Sequence, residues 1–207
     1  MERRKRIGIM GGTFDPIHIG HLILGEKSYE QLELDKVLFM PSGNPPHKKN
    51  REGRASDDQR VQMVELAIRD NPHFELSLIE MNEEGYTYTF RTLENLRREN
   101  PDTDYFFIIG ADSLLTFSSW MEPARIAAAC TLVVAVRNHI HMDELETEIR
   151  SVEERFGARI FRLDTENLDI SSRMLREWVC SGRSIRYYTT DAVAAYILEN
   201  GIYLRLH

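Results

Sequence analysis

His18 and His21 stand three residues apart with Gly20 between them, just beyond the paired glycines Gly11 and Gly12. The short apolar run ahead of the glycines (Ile7, Ile9, Met10) has the character of a strand. Beyond His21, the residues Leu22, Ile23, Leu24 and Tyr29 open a helical pattern. A strand, a Gly-rich turn and a helix start make a seat for phosphate, because backbone N–H groups and the positive end of the helix dipole converge there. The glycines let phosphate oxygens approach the backbone, and Gly20 leaves room beside two imidazoles that share one face of the helix start. Imidazole N–H groups can donate to phosphate oxygens. The chemistry this string suits is the binding of nucleotide phosphates.

Other readings of the same residues are weaker. The dinucleotide fingerprint G-x-G-x-x-G is absent, since Gly8, Gly11 and Gly12 have the wrong spacing, and no P-loop string occurs in the chain. A histidine pair at this spacing could ligate a metal, but neither a third ligand at a recognisable spacing nor an HExxH string accompanies it, so no protein-held metal site is expected. Either histidine alone could be structural; the eleven-residue string as a whole is harder to explain that way.

Composition bounds the rest. The 207 residues suffice for one α/β domain with a substantial core, and the content of hydrophobic (42%) and charged (29%) residues is ordinary for a soluble globular protein. A net charge of −7 argues against general nucleic-acid binding. The basic cluster Arg3, Arg4, Lys5 and Arg6 reads as a solvated strand entry. The apolar run after it is too short for a signal peptide, and no stretch is long enough to span a membrane. Two widely spaced cysteines, Cys130 and Cys180, do not make a disulfide framework, and a cytoplasmic location is expected.

The elements that must position the histidines alternate short apolar strands with amphipathic helices, the pattern of a parallel sheet covered on both faces. Strands are predicted around Ile7–Met10, Val37–Met40, Phe74–Leu78, Tyr105–Ile109, Leu132–Val136 and Ile160–Leu163. Ser56 and Gln59 fit a capping box ahead of a helix carrying Val61, Val64 and Ile68. Phe90, Leu93 and Leu96 mark another helix. Met142, Leu145, Ile149, Val152 and Phe156 mark a third, closed by Gly157. The fold expected is a single-domain, Rossmann-like, doubly wound parallel sheet over 1–207, with a C-terminal helical part at roughly 170–207 packed on it.

Four further places could carry chemistry. The segment from Pro41 through Arg54 is a long basic loop leaving the carboxyl end of a strand, the edge where α/β folds bind ligands. Gly110-Ala111-Asp112 follows the most apolar strand, where a carboxylate can accept ribose hydroxyls, with Trp120 further on as a flat apolar partner or a core residue. Thr87 precedes a helix. Ser171 and Ser172 open another, where serines are first of all caps, and Arg176 follows one turn in.

Gly12-Thr13-Phe14-Asp15-Pro16-Ile17-His18-Ile19-Gly20-His21 resembles the signature of the nucleotidyltransferase superfamily, and shares its His-x-Gly-His element with class I aminoacyl-tRNA synthetases. Taken with the later segments, the chain resembles the bacterial nicotinate-nucleotide adenylyltransferases from end to end. That resemblance implies adenylyl transfer from ATP to nicotinate mononucleotide in NAD biosynthesis, giving nicotinate adenine dinucleotide and pyrophosphate. It assigns catalysis to His18, His21 and Arg176. ATP is given to Gly11, Gly12, Thr13, Phe14, Gly110, Asp112, Ile170 and Ser171 together with those three. The mononucleotide is given to Asn44, His47, Lys48, Thr87, Asp112 and Trp120, with His47 and Lys48 on its phosphate, the Thr87 backbone on the carboxylate and Trp120 stacked on the pyridine. Mg2+ is implied as the companion of ATP, and the partners are these small molecules; a homo-oligomer is compatible. One departure stands out: Arg137-Asn138-His139 replaces the family's usual Arg-Pro-Gly. A synthetase-like module is disfavoured, because the chain has no Lys-Met-Ser-Lys-Ser loop, no anticodon domain and no basic surface.

Overall fold

The computed structural model describes residues 3–43, 53–81, 86–135, 142–165 and 168–204. Six strands form one sheet in the order β3-β2-β1-β4-β5-β6, with every neighbouring pair parallel. They are β1 (Lys5–Gly12), β2 (Lys36–Pro41), β3 (Phe74–Leu76), β4 (Thr103–Gly110), β5 (Thr131–Ala135) and β6 (Arg159–Leu163). Ile9 of β1 sits in register with Leu38 on one side and Phe107 on the other. The strand order reverses between β1 and β4, so the crevice for ligands opens past the ends of these two central strands.

Alternating strand residues explain why both faces are covered. Met10, Phe39, Ile108 and Val133 bury on one side, against Val64 and Ile68 of α2 (Asp57–Ile68), Leu175 and Val179 of α7 (Ser172–Cys180), and Val193 and Ile197 of α8 (Asp191–Glu199). Their neighbours Ile9, Met40, Phe107, Leu132 and Val134 bury on the other. There they meet Phe90 and Leu93 of α3 (Thr89–Glu99), Ile126 of α5 (Pro123–Ala129), and Leu145 and Val152 of α6 (Met142–Phe156). Period-2 alternation in a continuous apolar strand yields two cores when helices lie on both sides. The α1 helix (Ile19–Gln31) follows β1, and the short α4 helix (Ala111–Leu115) follows β4.

Local signals work as the residue types predict. Ser56 Oγ accepts the Gln59 N–H and Gln59 Oε1 accepts the Ser56 N–H, closing the capping box of α2. Gly157 takes φ +62 after α6. Three details differ from the sequence reading. The β3 strand stops at Leu76 and Leu78 is exposed, because β3 is an edge strand pairing only with three residues of β2. Val61 is half-buried, while Met63 joins Val64 as a fully buried residue of that turn. The α5 helix is not legible in advance, since one large apolar residue in Pro123–Ala129 gives no period. Among the described residues no helix is long and apolar enough to cross a membrane. Val136, Arg137, Asn138 and His139 lie outside the described residues.

Candidate active site

The carboxyl end of β1 passes into α1 through a tightly packed turn. A Cβ on Gly12 would meet the Phe14 ring at 3.1 Å, so the ring folds back closely over this glycine. Phe14 is buried at φ +48, a left-handed conformation that a bulky residue adopts only when its surroundings hold it there. Its ring meets His21 edge-on at 5.1 Å. His18 caps α1 and is buried. Its imidazole lies stacked on that of His21, with centroids 3.7 Å apart. The His18 N–H donates to His21 Nδ1 at 3.2 Å. With Nδ1 accepting, a neutral His21 carries its proton on Nε2, which is therefore a donor. The helix is also tied from the far end of the chain. Ile19 N–H donates to the Tyr188 carbonyl at 2.9 Å, and Thr189 Oγ1 donates to the Ile17 carbonyl at 2.9 Å.

His21 faces a cavity of about 310 Å³ lined by Thr13, Phe14, Asp15, Arg54, Ser172 and Arg176 as well. Ser171 caps α7 by accepting the Met174 N–H, and Ser172 Oγ donates to the Pro16 carbonyl at 2.8 Å. One turn on, Arg176 Nη1 donates to the Asp15 carbonyl at 2.6 Å, which holds the guanidinium on the cavity wall. Two cations, one carboxylate that Arg176 and buried donors offset, a donor imidazole and the N-terminal ends of α1 and α7 therefore border one polar space. This is the electrostatics of a polyphosphate site.

A second cavity, of about 270 Å³, adjoins the first and shares Thr13 with it. Gly11, Gly12, Met40, Thr87, Tyr88 and Trp120 are among its walls. Trp120 is held by Phe107, edge-on at 6.3 Å, and by Phe117 at 5.6 Å. Tyr88 caps α3, so that helix begins at the cavity wall. The buried Ser42 Oγ and Thr87 Oγ1 have no hydrogen-bond partner among the described residues. An aromatic slot with polar groups at its end is suited to a planar ring bearing a polar substituent.

Arg60 locks the floor between the two. It is almost fully buried, and its guanidinium donates to the carbonyls of Thr13 (2.8 Å) and Ser42 (2.9 Å) and to Asp57 Oδ1 (2.8 Å). The turns after β1 and β2 are thereby fastened to α2.

The structure brings Gly11, Gly12, Thr13, Phe14, His21, Thr87, Trp120 and Arg176 to these two cavities. His18 lines neither and supports His21 from within the fold. Gly110 ends β4. Asp112 is exposed in the first turn of α4 and lines neither cavity, whereas its neighbour Ser113 does. Ile170 is buried and Ser171 is occupied as a cap. Asn44, His47 and Lys48 lie outside the described residues. Sequence reasoning missed Asp15, Arg54 and Arg60 as site residues. For Arg60 a signal existed: it stands one turn before Val64 and two before Ile68, on the core face of α2.

Comparison with known proteins bears on the family and the fold. Residues 9–178 match the cytidylyltransferase-like family. The chain is 43% identical over 200 residues to a probable nicotinate-nucleotide adenylyltransferase of Lachnoclostridium phytofermentans, covering 97% of this chain and 100% of that protein. It is 40% identical to another of that description from Thermoanaerobacter, covering 98% and 96%. In fold it is similar to the Plasmodium falciparum nicotinic acid mononucleotide adenylyltransferase, solved with APC and with NaAD. The TM-scores are 0.76 and 0.77, at 20% identity, over 96% of this chain and 97% of those. The chain therefore belongs to the cytidylyltransferase-like nucleotidyltransferases and, within them, to the family of the nicotinate-nucleotide adenylyltransferases.

Proposed function

We propose that the chain transfers the adenylyl group of ATP to nicotinate mononucleotide, forming nicotinate adenine dinucleotide and pyrophosphate. The observation that carries this reading is the pair of adjoining cavities joined at Thr13, one aromatic-walled and one cationic. A mononucleotide with its ring against Trp120 has its phosphate directed toward His21 and Arg176. The family relatives agree with this choice of substrates.

The attacking group is the phosphate monoester of the mononucleotide. Its second pKa lies near ~6, so at neutral pH it is already largely dianionic and needs no general base. One of its oxygens forms a bond to the α-phosphorus of ATP while the bond from that phosphorus to the bridging oxygen breaks, and pyrophosphate leaves with the electron pair. Two mutually repelling anions must be aligned, and charge shifts onto the leaving group. His21 Nε2–H donates where that charge develops. Arg176 supplies a fixed positive charge beside it. His18 orients His21. Mg2+ would accompany the triphosphate and neutralise part of its charge. Phosphate oxygens and water would be its main ligands, as is usual for Mg2+ carried by a triphosphate.

The test is pyrophosphate release with Mg2+ and one acceptor at a time: from ATP with nicotinate mononucleotide, nicotinamide mononucleotide or phosphopantetheine, and from CTP with a cytidylyl acceptor. Release is expected to be fastest with nicotinate mononucleotide. No release with it, or faster release with another acceptor, overturns the assignment.

A further inference from the structure

Asp15 is a buried carboxylate on the wall of the phosphate cavity, and the mechanism above gives it no task. Its partners come from three distant parts of the chain. Oδ1 accepts the Tyr203 hydroxyl at 2.5 Å and the Ala55 N–H at 3.1 Å. Oδ2 makes no hydrogen bond among the described residues and lies 3.8 Å from Arg176 Nη1, the atom that donates to the Asp15 carbonyl. Ala55 directly follows Arg54, the other cation on the cavity wall. One carboxylate thus holds the backbone beside Arg54 and faces the guanidinium of Arg176.

Tyr203 is built for its end of this contact. It follows α8 at φ +65 and is buried, with the preceding Ile202 N–H donating to the Ile197 carbonyl at 3.0 Å. Burial and the adjacent Asp15 charge raise its hydroxyl well above the usual phenol range, so it remains a donor at every working pH. A buried carboxylate needs donors to compensate its lost hydration. With Tyr203 satisfying Oδ1, Asp15 does not have to draw Arg176 off the cavity wall to be compensated.

Resting on the function proposed above, we propose that Tyr203 is a positioning residue: its hydroxyl orients the Asp15 carboxylate, and through it the Arg176 guanidinium that grips the pyrophosphate end of the nucleotide. Removing the hydroxyl leaves the ring in place but leaves Asp15 short of one donor. Arg176 then turns toward Asp15 and away from the anion.

A binding measurement separates this from the reaction. Inorganic pyrophosphate is titrated calorimetrically into the full chain, as wild type, Tyr203→Phe, Arg176→Ala and the double variant. Tyr203→Phe is expected to weaken pyrophosphate about tenfold, the size of one lost charge-assisted contact. In the Arg176→Ala background the same change is expected to do nothing, which a general loosening of the fold would not reproduce. Wild-type affinity in Tyr203→Phe, or an equal loss in both backgrounds, overturns the proposal. Should Tyr203→Phe fail to fold, Asp15→Asn replaces it: an uncharged side chain does not draw Arg176 inward, so pyrophosphate is expected to bind at least as tightly as in the wild type, and a tenfold loss overturns the proposal. Adenylyl transfer by the wild type is assayed in parallel. An inactive wild type refutes the substrate assignment, while the binding cycle still decides the role of Tyr203.

Discussion

The His21 ring lies on the His18 ring, with planes 29° from parallel, and takes the His18 backbone N–H on its Nδ1. This contact decides which imidazole nitrogen points at the phosphate cavity. His21→Ala is expected to lower kcat about 10²- to 10³-fold, the range for loss of one transition-state donor, with little change in KM. Steady-state kinetics with both substrates varied checks this, and near-normal turnover removes His21 from the catalytic role.

Gly20 separates stability from activity. Inside α1, alanine is favoured over glycine by about 1 kcal/mol. A Cβ here would sit 3.1 Å from His18 Nδ1, however, and that ring is buried and stacked. Gly20→Ala is expected to leave the melting temperature nearly unchanged while displacing the imidazole pair, with kcat down about tenfold. A variant as active as the wild type means that the His18 ring yields without cost.

Arg60 is structural and its loss is felt twice. Arg60→Met keeps most of the side-chain volume but leaves the Thr13 and Ser42 carbonyls without their donor. The expected destabilisation is about 2–4 kcal/mol, from buried acceptors left unpaired. Urea unfolding reads it directly. KM for the nucleotides should rise as the two turns loosen, and an unchanged midpoint of unfolding contradicts the clamp.

Cys130 makes the fold sensitive to alkali. Burial pushes its thiol up from 9.0 to about 12. Between these values the unfolded chain has given up the proton and the folded chain has not. The unfolded state then binds fewer protons, and stability falls as pH rises through that window. At pH 11 the loss relative to pH 8 is about 2–3 kcal/mol from this group. Cys130→Ala lowers stability at pH 8 but should flatten the pH dependence. Equal slopes for the two proteins in urea titrations at both pH values discount the thiol.

What the chain declares on its own is local: the glycine-histidine string, the Ser56–Gln59 box, the two-face alternation of Leu132, Val133 and Val134, and the helix opening at Ser171–Ser172. Each depends on neighbours within a turn or a strand, where residue type and spacing are enough. Tertiary structure decided the partners of the polar groups. Asp15 meets Arg176 across 161 positions and Tyr203 across 188. Arg60, one turn into a helix, reaches the ends of two strands. Buried charges must find donors or acceptors wherever the topology brings them, and no periodicity encodes that choice. The division of the crevice into an aromatic and a cationic half arises in the same way, from side chains that only the reversal between β1 and β4 places together.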